Sequence, residues 1–105
     1  MGVLDRNYQV GTPHTQDATG ASVDKTSTVT ATAAEITIDQ SAVYTVTSDV
    51  DTHWEIAHPD AGAVTAATAA SPTLKDGNYY FLKGSKISVI RDSSDGNIWL
   101  VPSIV

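Results

Sequence analysis

The sequence predicts an all-β fold: a small antiparallel β-sandwich or jelly-roll-like barrel over residues 26–105, preceded by an extended polar N-terminal arm over residues 1–25. Three observations predict it. From Thr26 onward, apolar and polar residues alternate with a period of two, in runs rich in Thr, Val, Ile and Tyr. The last third, NYYFLKGSKISVIRDSSDGNIWLVP, holds three strongly apolar runs separated by glycine-containing turns. No stretch carries the apolar stripe of an amphipathic helix able to cover a sheet, so sheet has to pack on sheet.

The arm comes first. GTPHTQDATGASVDK has almost no large apolar side chain, so it cannot bury enough surface to offset its ordering entropy. Ahead of it sits a short apolar cluster, Val3, Leu4, Tyr8 and Val10. It reads either as a frayed terminus or as an apolar tip that docks on a neighbouring subunit. TSTVTAT then places Thr26, Thr28, Thr30 and Thr32 on one face and Val29 and Ala31 on the other. EITI puts Ile36 and Ile38 in phase, and AVYTVTS does the same for Tyr44 and Val46. Asp39, Gln40 and Ser41 between those two runs read as a hairpin loop. DVDTHWEIAHPD follows as a strand ending at His58-Pro59, with Trp54 and Ile56 expected inside. The alanines of AGAVTAATAASP would allow a short helix, but such a helix has little to bury, and the segment reads in preference as a loop with one short strand at most.

The final runs are Asn78–Leu82, Lys86–Arg91 and Asn97–Val101, with Pro102 closing the last. Asp76-Gly77 and Asp95-Gly96 are hairpin signals, because glycine adopts positive φ at low cost. Phe81, Ile87, Val89, Ile98 and Leu100 complete the expected core. These strands are apolar on both faces. Their second face therefore requires the other sheet, the arm or another subunit, and Tyr79, Tyr80 and Trp99 are the expected interface residues there. The tail ends on Ile104 and Val105, as a docked C-terminus would.

Composition narrows the function. The chain has 105 residues, 41% hydrophobic and 17% charged, which suits one globular domain. Its net charge of −6 argues against nucleic-acid binding, which needs cations to displace counterions from phosphates. There is no cysteine, which excludes disulfides and thiolate chemistry. MGVLDRNYQV lacks the basic and apolar regions of a signal peptide, and no apolar run is long enough to span a membrane as a helix. A protein made and kept in a cytosol, or assembled there into something larger, is the expectation.

Chemistry is sparse. DVDTHWEIAHPD packs four acids and two of the three histidines into twelve residues. In a strand Asp51, His53 and Glu55 share a face, and same-face neighbours about 7 Å apart can converge on an ion. A half-buried strand with its charged residues in water explains the same pattern, and the balance favours that solvated face. There is no Gly-x-Ser-x-Gly elbow and no phosphate loop. RDSSDGN lacks the alternate acid spacing of a calcium loop and reads as a turn. Tyr79, Tyr80 and Trp99 would suit a sugar-stacking platform, although such aromatics are more often core or interface.

VTSDVDTHWEIAHPDA, then SPTLKDGNYYFLKGSKISVIRDSSDGNIWLVP, resembles small virion structural proteins of tailed bacteriophages over residues 43–102. His58-Pro59 stands where the pattern has a glycine, and Lys75 where it has a proline. The resemblance implies an all-β, non-enzymatic homo-oligomer, such as a trimer, without cofactor, nucleic acid or membrane. It would bind the major capsid protein or other virion proteins, after assembly in the host cytoplasm. A capsid decoration or cement protein is the first expectation. A head–tail or tail-associated protein, or a carbohydrate-binding β module on a tail, is the alternative.

Overall fold

The computed structural model describes residues 24–103. The strands are β1 (Lys25–Val29), β2 (Ala34–Thr37), β3 (Ala42–Ser48), β4 (Thr52–Ala57), β5 (Gly77–Phe81), β6 (Lys86–Arg91) and β7 (Gly96–Pro102). A 3-10 turn, Pro59–Ala61, follows β4. The arm tip Val3, Leu4, Tyr8 and Val10 and the terminal Ile104 and Val105 lie outside the described residues.

The strands form two antiparallel sheets, β1–β7–β3–β5 and β2–β6–β4. Their pairs nest: β1 with β7, β2 with β6, β3 with β5. The innermost pair would be β4 with an eighth strand, but only a bridge between His53 and Thr73 stands there. Nested antiparallel pairs wound into two facing sheets make a jelly roll, here with one strand reduced to a single bridge. The long segment after β4 is otherwise loop, as its small side chains suggest.

Every connection between successive strands crosses from one sheet to the other. This corrects the expected hairpins. The segment Asp39-Gln40-Ser41 does not join paired strands, because the backbone of Ile38 is already taken. Its amide donates to the Ser85 carbonyl at 2.9 Å, and its carbonyl accepts from Gly84 at 2.7 Å. The Tyr44 hydroxyl donates to the Gln40 carbonyl at 2.6 Å and fixes the crossing. Asp95-Gly96 is not a hairpin either. Among the described residues the glycines with positive φ are Gly62 and Gly84, and Gly96 is not one of them. It is needed for space: a Cβ there would lie 2.3 Å from Asp49 Oδ1 and 2.7 Å from Val50. Gly84 is the conformational glycine, at φ 92° in a turn closed by Ser85 N–H to Leu82 O at 3.0 Å.

The core lies between the sheets. Val29, Ile38, Tyr44, Val46, Ile87, Val89, Ile98 and Leu100 are buried to within 1% of full exclusion, with Ile36, Trp54, Leu74 and Phe81 beside them. Its aromatic end is tightly interlocked: the Trp54 ring meets Tyr79 edge-on at 5.0 Å and Phe81 at 6.3 Å. Tyr44 adds a tilted contact to Phe81 at 5.8 Å. Offset and edge-on contacts of this kind suit the ring quadrupole.

Ile56 is a correction. It shares the parity of Trp54 but is 47% exposed. β4 borders its sheet, and at Ile56 it has passed the Thr73 bridge that covers its start. Ala31 is a smaller correction: β1 ends at Val29, so the alternation stops there and Ala31 is exposed.

Candidate functional site

The two outer faces differ. On the three-stranded sheet, the segment between β4 and β5 lies across β6. The Ala67 amide donates to Ser88 Oγ at 2.9 Å, and Ser88 is 3% exposed. Ser88 points away from the core by parity, so its burial measures that cover.

The four-stranded sheet carries its apolar residues outward. Val43 on β3 pairs in register with Tyr80 on β5, and they are 44% and 61% exposed. Thr45 and Thr47 on β3 face Val101 and Trp99 on β7, both half-buried. Trp99 is paired on its other side with Thr26. The result is an apolar band of Val43, Tyr80, Val101 and Trp99 set among threonines. Of the aromatics expected at an interface, Tyr80 and Trp99 are therefore on the outer face. Tyr79 is turned inward against Trp54 and Phe81, and its hydroxyl donates to the Lys75 carbonyl at 2.6 Å. Val43 and Val101 belong to the same band, and period-two parity with Thr45 and Trp99 was the signal for them.

Where β4 and β5 border the sandwich there is a depression of about 380 Å3, lined by Ile56, His58, Tyr80 and Leu82 among others. Its floor is the Tyr79–Phe81 pair. His58 is an N-cap rather than a ligand: its Nδ1 accepts from the Asp60 amide at 3.1 Å. A second depression, about 420 Å3, lies beside Asp49, Asp51 and Asp76. Two of these acids are committed to the fold, Asp49 to the Asn97 amide at 2.7 Å and Asp76 to the Ser48 amide at 3.1 Å.

Asp51, His53 and Glu55 do not form a shared site. Among the described residues, no three His, Cys, Asp or Glu side chains converge as an ion requires. Asp51 precedes β4, where its carbonyl accepts from the Asp92 amide at 3.0 Å. His53 has both ring nitrogens engaged, one with the Ser71 carbonyl at 2.9 Å and one with Asp92 Oδ1 at 2.8 Å. The hydrogen bond to Asp92, with that to Ser71 second, holds its pKa above the ordinary imidazole value. Neither partner was visible in the sequence, because Asp92 is 39 positions away and Ser71 sits in a segment without pattern.

The site therefore offers adhesion more readily than bond-breaking: an apolar band on one face, a shallow depression at one border, and a histidine already saturated with partners. Comparison of the chain with protein-family models, with curated proteins and with solved structures finds no match.

Proposed function

We propose that the protein is a structural component of a tailed-bacteriophage virion, and that it acts as a capsid decoration or cement protein. It binds neighbouring subunits through the outer face of its four-stranded sheet and through its N-terminal arm. The observation that carries the reading is the band of Val43, Tyr80, Val101 and Trp99 on the outer face of the sheet, with Tyr80 61% exposed. Contiguous apolar surface on a small domain marks an interaction site, and burial at about 25 cal/mol per Å2 supplies adhesion without catalysis. The resemblance of residues 43–102 supplies the particle. The jelly roll agrees with it as analogy, since that architecture recurs in viral capsid and lectin domains. A head–tail or tail position uses the same surface.

Mass spectrometry of purified virions from a host carrying the gene tests the assignment, and absence from mature particles overturns it. Removing residues 1–24 is expected to weaken attachment more than it weakens the isolated domain. Equal attachment of full-length and truncated protein would remove the arm from the proposal.

One observation favours a second reading, a carbohydrate-binding module. Tyr80 stands at the rim of the 380 Å3 depression, where an aromatic face can stack on a sugar ring. A glycan array without a hit, or binding unchanged in Tyr80→Ala and Trp99→Ala, excludes it.

A further inference from the structure

The segment between β4 and β5 occupies the place of the missing eighth strand, and one side chain clasps it. His53 projects from the outer face of β4, and its side chain is 12% exposed. Its Nδ1 lies 2.9 Å from the Ser71 carbonyl and its Nε2 lies 2.8 Å from the Asp92 carboxylate. Both partners are acceptors. A neutral imidazole has one N–H, so it can satisfy one of them and must turn a lone pair toward the other. Only the imidazolium donates to both.

The charges acting on the ring come from two elements. Asp92, just past β6, accepts its hydrogen bond, and Asp51, at the entry to β4, adds a second negative charge. Arg91, beside Asp92 in the chain, is paired with Asp95 at 2.5 Å. The long segment brings the Ser71 carbonyl.

We propose that His53 is a proton-operated clasp: its imidazolium holds residues 62–71 against the three-stranded sheet, and loss of one proton frees that stretch while the β4–β6 ladder stays intact. The bond that breaks follows from strength. A hydrogen bond to a carboxylate is about twice as strong as one to a neutral carbonyl. The neutral ring therefore keeps its Nε2 proton on Asp92 and turns the bare Nδ1 toward Ser71.

Downstream of Ser71 the chain stays fixed. Trp54 donates to the Pro72 carbonyl at 3.0 Å, Leu74 to the Thr52 carbonyl at 2.8 Å, and Leu74 is in the core. Upstream, the turn from Thr68 to Ser71 is held within itself by Ser71 N–H to Thr68 O and Thr68 N–H to Ser71 Oγ, each at 2.9 Å. It moves as a unit. Two further ties remain: Ala67 to Ser88, which opening would uncover, and at the start of the stretch the Lys86 ammonium, which donates to the Gly62 carbonyl at 3.0 Å. The outer face of the three-stranded sheet is thus covered when His53 is charged and accessible when it is neutral.

Backbone hydrogen exchange on the full chain at pH 5.5 and 8.5, corrected for intrinsic rates, tests this. Protection of the Ala67, Thr68 and Ser71 amides is expected to fall at least tenfold at the higher pH, with β6 unchanged. Equal protection at both pH values, or an equal fall in β6, overturns the clasp. Nitrogen NMR of the wild-type imidazole provides a test that needs no variant. The neutral ring is expected to carry its proton on Nε2, and a neutral ring protonated on Nδ1 overturns the proposal. Asp92→Asn is expected to move the opening midpoint to lower pH, and an unmoved midpoint would also overturn it.

Discussion

Tyr44 and Tyr79 stand opposite one another on adjacent antiparallel strands, and each donates its hydroxyl to the carbonyl four residues upstream in its own chain direction. Because the strands run oppositely, the two bonds secure opposite ends of the sheet. One pins Gln40, where the chain enters β3, and the other pins Lys75, where it enters β5. Burial, with a smaller contribution from Asp39, pushes the Tyr44 hydroxyl pKa up, offset by the bond to Gln40.

Replacing these tyrosines by phenylalanine isolates the two bonds. Tyr44→Phe is expected to cost about 1 kcal/mol, the usual value of a hydrogen bond whose partner is left behind. Tyr79→Phe should cost less, since water can reach its carbonyl. The two losses should add within about 0.5 kcal/mol, because the hydroxyls serve different crossings. Denaturant unfolding of the single and double variants measures all three values.

Ile56 and Ile87 are partners in register across β4 and β6, yet one is 47% exposed and the other fully buried. Ile87→Ala should therefore cost about 2–5 kcal/mol through its cavity. Ile56→Ala should cost well under about 1 kcal/mol. Similar losses at both positions in thermal melts would place Ile56 in the core after all.

Gly96 and Gly77 each begin a strand after an aspartate, but their surroundings differ. A Cβ on Gly77 finds nothing nearer than the Tyr79 ring at 3.8 Å, whereas one on Gly96 collides with Asp49 and Val50. Gly96→Ala is expected to destabilise by about 1–3 kcal/mol, the range for overpacking, and Gly77→Ala by much less. Denaturation midpoints of the two variants decide it.

His53 also sets a pH dependence on global stability. Its folded pKa is raised, so its contribution is complete below the unfolded value of about 6.5 and is lost as pH rises through the higher folded value. Wild type should lose melting temperature across that window, and His53→Gln should show a flatter profile between the same pH values.

Val43→Lys with Tyr80→Ser tests the outer band. Both side chains face solvent, so folding should change by no more than about 0.5 kcal/mol. Attachment to particles, followed by co-sedimentation, should be abolished.

Burial was far more legible in the sequence than pairing. Alternation put Tyr44, Val46, Ile98 and Leu100 inside because a strand's two faces repeat every second residue. The same periodicity is silent about which strand lies alongside, so the hairpins read from Asp39–Ser41 and Asp95-Gly96 were natural and mistaken. Ile38 is committed to Gly84 and Ser85, and only the folded chain brings them together. Gly96 carried a turn signal for a different reason, the close approach of Asp49. In the candidate site, parity placed His53, Tyr80 and Trp99 on outer faces. It could not supply Asp92 or Ser71, whose meeting with His53 is a product of topology.

The strict crossing between sheets has a consequence for synthesis. The most closely spaced strand pair, β4 with β6, has its nearest partners at Ala57 and Lys86, 29 positions apart along the chain. No two-strand unit can form locally, so contact order is high and folding belongs to the slower, millisecond-to-second regime. β7, the last of the described strands in chain order, lies between β1 and β3 and pairs with both. Among the described strands, a nascent chain lacking β7 leaves β1 without a neighbour and β3 with one side bare. The four-stranded sheet, and the apolar band it displays, therefore come into being only after Pro102 has left the ribosome.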